Sequence, residues 1–292
     1  MAFEQAKDSL ILQGRLARRS LRRIRQAARC RRLSLAGTPV LFANSFPKSG
    51  THLLTQVLDG FTHLGPAVIS GLPAIAAYEG DTGRELPASE ILHNLRRLLP
   101  GDIAYGHLHA RPQILEYFQG KQFAAYFILR DPRDVVVSHA HYVTDMETEH
   151  ILHRYYQEQL HTFDERLAAS ILGRSDFDFS FPDIASRFAP YLGWLTQADT
   201  LVLRYEDFIL AQEATLGCVL DHAVRNGFPL NQARSAAIHT LQACIDPHRS
   251  PTFRSGKIGG WRAEFSEANK LLFKQVAGDL LLRLGYEQDS AW

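Results

Sequence analysis

The sequence predicts an α/β protein: three layers with a central, mostly parallel sheet between helices, and a basic N-terminal helix ahead of them. Three observations carry that expectation. From residue 40 onward, short apolar runs alternate with amphipathic segments, the order of strands joined by crossover helices. The chain has 292 residues and is 46% hydrophobic, which suits one large domain with a sizeable core better than two small ones. Charge is unevenly placed. Residues 1–39 hold ten Lys/Arg against two acids, a net of +8, while the rest carries a net of −7.

The leader comes first. "RLARRSLRRIRQAARCRRL" holds Arg15, Arg18, Arg19, Arg22, Arg23, Arg25, Arg29, Arg31 and Arg32 with no acid among them. Ala17, Leu21, Ile24 and Ala28 recur at helical spacing and give a narrow apolar stripe. Such a helix either lies on an anionic membrane or polymer, or packs its stripe on the body and leaves its charge in water. No recognition motif or aromatic platform accompanies the arginines, so nucleic acid is not an expected partner. A boundary falls at Gly37-Thr38-Pro39, dividing a leader of residues 1–39 from a domain of residues 40–292.

Strands are expected at Val40–Ala43, Ile103–Gly106, Phe123–Leu129 and Thr200–Arg204. Helices are expected over 51–60, 85–99, 133–142, 153–172, 184–198, 211–226, 231–244 and 267–284, and a turn-rich loop over 173–183. No run of about 18 apolar residues is present to span a membrane. The opening "MAFEQAKDSLILQ" lacks the basic-then-apolar order of a secretory signal. Cys30, Cys218 and Cys244 lie far apart, against a disulfide framework or a zinc site. The expected setting is reducing and cytoplasmic, with peripheral membrane association of the leader left open.

Open α/β sheets bind ligands outside the carboxyl ends of their strands, and four stretches there carry chemistry. "NSFPKSGTH", residues 44–52, follows the apolar run "PVLFA". Gly50 lets backbone approach an anion, Thr51 opens a helix whose N–H groups and dipole favour phosphate or sulfate, and Lys48 adds a charge. A Walker loop needs a glycine upstream that is missing here. In "FILRDPRDVVVSHAHY", Pro132 suits a first helical position. Arg130 and Ser138 are spaced to converge on one anion, unless the arginines and aspartates only cap the turn. "PTFRSGKIGGWR", residues 251–262, is a flexible basic loop with Arg254, Lys257 and Arg262 among glycines. "TLVLRYEDF" ends in Tyr205, which either serves the crevice or closes the core.

In this order and spacing the four stretches resemble the sulfotransferases that use 3′-phosphoadenosine 5′-phosphosulfate (PAPS), over roughly residues 40–265. The resemblance implies a P-loop-NTPase-like fold, PAPS as co-substrate and adenosine 3′,5′-bisphosphate as product. It implies that Lys48, Ser49, Gly50 and Thr51, with the adjoining His52, hold the 5′-phosphosulfate. Arg130, Ser138, Arg254, Ser255 and Gly256 would hold the 3′-phosphate, with Tyr205 beside the adenine. Lys48 would stabilise the leaving phosphate and interact with Ser138. The general base would be His107 of "IAYGHLHA", with His109 as the alternative, and no metal is required. The sequence departs from the family at Leu53 and, more loosely, Leu241, where aromatics stack on adenine. Arg254-Ser255-Gly256 stands for Arg-Lys-Gly, and Gly260 for an aspartate.

The implied acceptor bears a hydroxyl or an amine: a glycolipid, a polysaccharide or a small natural product. His139, His141, His150 and His153 fit no ligand spacing and are read as a helical wall of the acceptor pocket, with Tyr78 and Glu79 as further acceptor contacts. Two other classes compete. A nucleotide kinase or P-loop NTPase is disfavoured by the missing glycine and the lack of a Walker-B aspartate. A catalytically inactive nucleotide-binding protein is disfavoured by the presence of Lys48 and His107.

Overall fold

Seven consecutive buried residues, Phe123–Leu129, form an interior strand of the sheet. The structure is a computed structural model that describes residues 2–79, 82–120, 122–175, 179, 181–250 and 253–292, with backbone alone for 2–12. Its six strands are β1 (Val40–Ser45), β2 (Val68–Ile69), β3 (Ile75–Ala76), β4 (Asp102–His107), β5 (Phe123–Leu129) and β6 (Thr200–Arg204). They run in the order β2–β4–β1–β5–β6, with β3 also on β4, and every pairing is parallel. Alternation along the strands builds two cores. Phe42, Phe123, Ala125 and Phe127 face one layer of helices; Leu41, Ala43, Ala124, Tyr126 and Ile128 face the other. Burial of each large apolar side chain contributes about 1.5–3 kcal/mol. The expected three-layer arrangement is therefore present.

Because β1 lies between β4 and β5, the winding reverses beside its carboxyl end, where ligands gather in such sheets. Buried Asn44 fixes that end: its amide donates to the Leu108 carbonyl at 3.1 Å and its oxygen accepts from Leu108 N at 2.7 Å. The backbone leaves β1 through Lys48 at φ 67° and Gly50 at φ 101°, then enters α2 (Thr51–Asp59).

Several elements differ from expectation. The helix expected over 85–99 is confined to Ala88–Leu95, because Pro87 holds the preceding backbone extended. The helix expected over 153–172 is two, His153–Glu158 and Phe163–Leu172. Thr162 and Glu165 form a capping box that restarts it. The 184–198 helix tightens to 3₁₀ over Ala189–Thr196, where Pro190 lacks an N–H to donate. Residues 176–178 and 180 of the expected loop lie outside the described residues, as do Pro251 and Thr252.

The leader is the largest correction. It is a helix, α1 (Ala2–Arg29), whose apolar stripe faces outward, against the reading in which that stripe packs on the body: Leu21 is 55% and Ile24 68% exposed. Arg19 and Ala27 are buried instead. The cause is Asp102, fully buried at the start of β4, whose carboxylate needs cations. Arg19 pairs with it, Arg23 donates to it at 2.8 Å, and Leu99 N donates at 2.8 Å. Gln26 adds bonds to the Thr62 and Gly65 carbonyls at 2.7 and 2.6 Å. Among the described residues no helix is long and apolar enough to cross a membrane.

Candidate active site

Polar side chains from all four stretches line one cavity of ≈ 800 Å³ at the carboxyl end of the sheet. Lys48, Gly50, Thr51, His52, His107, Arg130, Ser138, Tyr205, Arg254, Ser255 and Gly256 all border it. Ser49 does not. Its side chain is turned into the protein, with Oγ buried and unpaired among the described residues.

The loop after β1 is shaped by close packing. A Cβ on Gly50 would lie 2.7 Å from the Tyr205 ring, so only glycine fits both its φ and its neighbour. Lys48 holds its ammonium 3.4 Å from the centroid of the Tyr142 ring. Burial brings its pKa down to about 7, the Arg130 guanidinium acting in the same sense and Glu147 against it. The expected contact with Ser138 is not made; the ring one helical turn further along takes that place. Ser138 borders the same cavity from the Pro132–His141 helix.

A chain of contacts links the loop to the histidine. Thr51 Oγ1 lies 2.8 Å from Ser45 Oγ, which lies 3.1 Å from His107 Nδ1. His107 Nδ1 is also 3.0 Å from the Ser45 carbonyl. A carbonyl only accepts, so Nδ1 carries the proton and Nε2 keeps the basic lone pair. Burial holds the imidazole below its usual pKa, with His52 and Lys48 adding to that and the Ser45 carbonyl opposing it. The ring is therefore neutral at pH 7, the form a base needs. His109, the alternative base, is buried away from the cavity among Tyr78, Tyr191 and Glu85, with a pKa of about 4 caused by burial.

The second basic cluster is organised by Asp134. Its carboxylate accepts from Gly259 N at 2.8 Å and Trp261 N at 3.0 Å, and lies 3.5 Å from Arg130. The aspartate on one stretch thus ties down the glycine loop of another. Arg130 donates to the Lys257 carbonyl at 2.8 Å and lies over the Tyr205 ring at 4.5 Å. Tyr205 in turn donates from its hydroxyl to the Gly256 carbonyl at 3.1 Å. Glu206 accepts from Asp131 N at 3.0 Å, fixing the turn after β5. Arg133 takes the structural role: buried, paired with Asp131, and over the Trp261 ring at 4.0 Å. Arg254 sits at the rim, 3.6 Å from Glu264.

Leu53 borders the cavity, whereas Leu241 is fully buried in the core and does not. Tyr105, Tyr142, Phe208 and Phe253 supply the aromatic lining. All four lie within the stretches singled out in the sequence, but none was assigned a role there. The histidine tract makes internal bonds instead of a wall. His139 Nδ1 meets Ser170 Oγ, His141 meets Asp145, and His153 meets the Val143 carbonyl. Tyr78 and Glu79 pair within their own loop and do not border the cavity. Among the described residues no group of His, Cys, Asp and Glu is arranged to hold a metal ion.

No protein-family model and no curated protein matches the chain. Solved structures do. Mouse sulfotransferase SULT7A1 complexed with PAP is similar with a TM-score of 0.55 and 18% identity, covering 84% of each chain. Retinol dehydratase with androsterone and inactive cofactor PAP gives 0.54 and 17%, covering 83% of this chain and 80% of that one. Retinol dehydratase with retinol and PAP gives 0.55 and 18%, covering 83% and 81%. The chain therefore has the fold seen in these proteins.

Proposed function

We propose that this chain is a PAPS-dependent sulfotransferase that moves a sulfuryl group to an acceptor hydroxyl or amine, with residues 40–292 as the catalytic domain. One observation carries the proposal: two separate basic clusters and a neutral histidine border a single cavity. A nucleotide with phosphates at both its 3′ and 5′ positions calls for two clusters, whereas a triphosphate calls for one contiguous loop. The similar structures hold PAP, the product such a donor leaves, and two of them hold the hydroxyl-bearing molecules androsterone and retinol.

The donor supplies a sulfur–oxygen bond to its 5′-phosphate. Transfer forms an acceptor-oxygen–sulfur bond as that bond breaks, and makes the same demands as phosphoryl transfer. The acceptor's proton goes to Nε2 of His107, and the charge left on the phosphate is met by Lys48 and the amides at the start of α2. Thr51 and Ser45 hold the histidine in register with the loop. Arg130, Ser138, Arg254, Ser255 and Gly256 anchor the 3′-phosphate. Apolar and aromatic contact from Leu53 and Phe253 holds the adenine where the family stacks a tryptophan. A cytoplasmic setting goes with this reading, as does a leader whose exposed arginines meet an anionic partner.

Sulfur-labelled PAPS incubated with the protein and fractionated host extract tests the proposal. Label is expected in one fraction, with release of adenosine 3′,5′-bisphosphate, and is expected to be lost in Lys48→Ala and His107→Ala. Absence of both label and nucleotide product from every fraction would contradict it.

A further inference from the structure

Arg15, Arg18, Arg22 and Arg25 follow at intervals of three, four and three residues on α1, so one face presents all four along about 15 Å. With Leu21 they form one side of a groove of ≈ 700 Å³; Gly71, Leu72, Pro73 and Tyr105 form the other. The groove has a built floor. Arg22 Nη2 donates to the Ser70 carbonyl at 3.4 Å, and its Nε is buried with no partner among the described residues. Gly71, at φ 68°, makes room for that guanidinium, since a Cβ there would collide with it.

Among the described residues the groove's positive charge meets no carboxylate: none of Arg15, Arg18, Arg22 and Arg25 pairs with one, and Asp102 is already occupied by Arg19 and Arg23. Four cations around one recess raise one another's energy and favour an anion between them.

The groove opens beside the chemistry. Tyr105 borders both the groove and the cavity, and Pro73 in the groove is followed by Ala74 in the cavity. Tyr105 precedes His107 by two residues on β4, so both lie on one face, about 7 Å apart along the strand. We propose that the groove is the subsite for an anionic group carried by the acceptor itself: a phosphate, sulfate or carboxylate. The acceptor is then an anionic molecule that reaches from the groove past Tyr105 to His107. This inference rests on the sulfuryl-transfer proposal. A lipid surface is the competing occupant, but the outward aliphatic residues Leu21 and Ile24 make a narrow apolar face for one, and Arg22 is turned inward.

The test compares a matched pair of acceptors, 2-naphthol and 6-hydroxy-2-naphthoate, in the wild type and in an Arg15→Gln/Arg18→Gln/Arg25→Gln variant. A second readout is tripolyphosphate binding to protein saturated with adenosine 3′,5′-bisphosphate, which blocks the cavity and requires no turnover. We expect kcat/KM at least tenfold higher for the naphthoate in the wild type, through KM, and a ratio falling toward one in the variant. Tripolyphosphate affinity should fall at least tenfold in the variant and weaken with salt in the wild type. If neither acceptor turns over, the sulfuryl-transfer proposal is in trouble and the tripolyphosphate titration alone decides this one. Tripolyphosphate binding that is absent, or indifferent to the substitutions, overturns the subsite. So does a wild-type acceptor ratio near one with binding confined to phosphatidylglycerol vesicles.

Discussion

Nucleotide binding should draw a proton from solution, and Lys48 should be where it goes. Burial and Arg130 bring the free ammonium down to about 7, so about nine-tenths of it is neutral at pH 8. A phosphate dianion beside it favours the charged form and returns the pKa toward its usual range. Binding at pH 8 then takes up about 0.9 proton, and affinity falls about tenfold per pH unit above pH 7 until the bound pKa is reached. His52 and His107 lie below their usual values, and a phosphate with its second pKa near 6 is about 99% ionised at pH 8, so these groups add little. Calorimetry of adenosine 3′,5′-bisphosphate binding in two buffers of different ionisation enthalpy reads the uptake directly. Lys48→Arg keeps the charge but cannot release it, so binding should persist while uptake vanishes. An uptake below about 0.2 proton at pH 8, or one unchanged in Lys48→Arg, would refute the reasoning. The sign for stability follows from the same shift. The unfolded chain holds this proton up to 10.5, so the group's contribution to unliganded stability rises with pH from about 7 to 10.5.

Three further substitutions follow from the geometry. His107→Gln removes the base and should lower kcat by about 10²–10⁴, with nucleotide affinity by calorimetry held within a few-fold. Asp134→Asn keeps one acceptor for the Gly259 and Trp261 amides and loses the charge. That costs about 2 kcal/mol in docking the basic loop, read as a roughly thirtyfold weaker Kd for adenosine 3′,5′-bisphosphate. Gly50→Ala forces an L side chain to φ 101° against Tyr205. Strain of about 1–3 kcal/mol should lower the melting temperature by about 2–10 °C and weaken the nucleotide, whereas unchanged values would mean that the loop is not held as described.

How much of this was legible depended on range. The seven apolar residues of β5 and the glycine of the PKSGT turn announce themselves within a few positions, so an interior strand and the first loop could be read. The edge strands β2 and β3 are two residues each, too short to carry a period. The capping box Thr162–Glu165 was present as a local signal, but the apolar periodicity running through it suggested one helix. The leader shows the limit most clearly. Its stripe was legible, but the buried carboxylate that turns the arginines inward, Asp102, lies 83 residues from Arg19. In the site, Lys48, Arg130 and His107 each sit at a strand end and could be assigned from adjacent residues. The role of Asp134 needed partners 125 and 127 residues away. Tyr142 over Lys48 needed the course of a helix that leaves α geometry at that residue. Ser49 pointed inward for a reason invisible in a motif, since neighbouring loop residues face opposite ways.

The central claim is that the cavity is shaped for a nucleotide with phosphates at both 3′ and 5′. The most direct measurement is the pair of dissociation constants for adenosine 3′,5′-bisphosphate and ADP, taken at one pH and salt concentration. The two ligands carry the same number of phosphates, placed differently. Preference for the 3′,5′-bisphosphate by at least about a hundredfold, near 2.7 kcal/mol, is the predicted result. Equal affinities, or tighter binding of ADP, would contradict it.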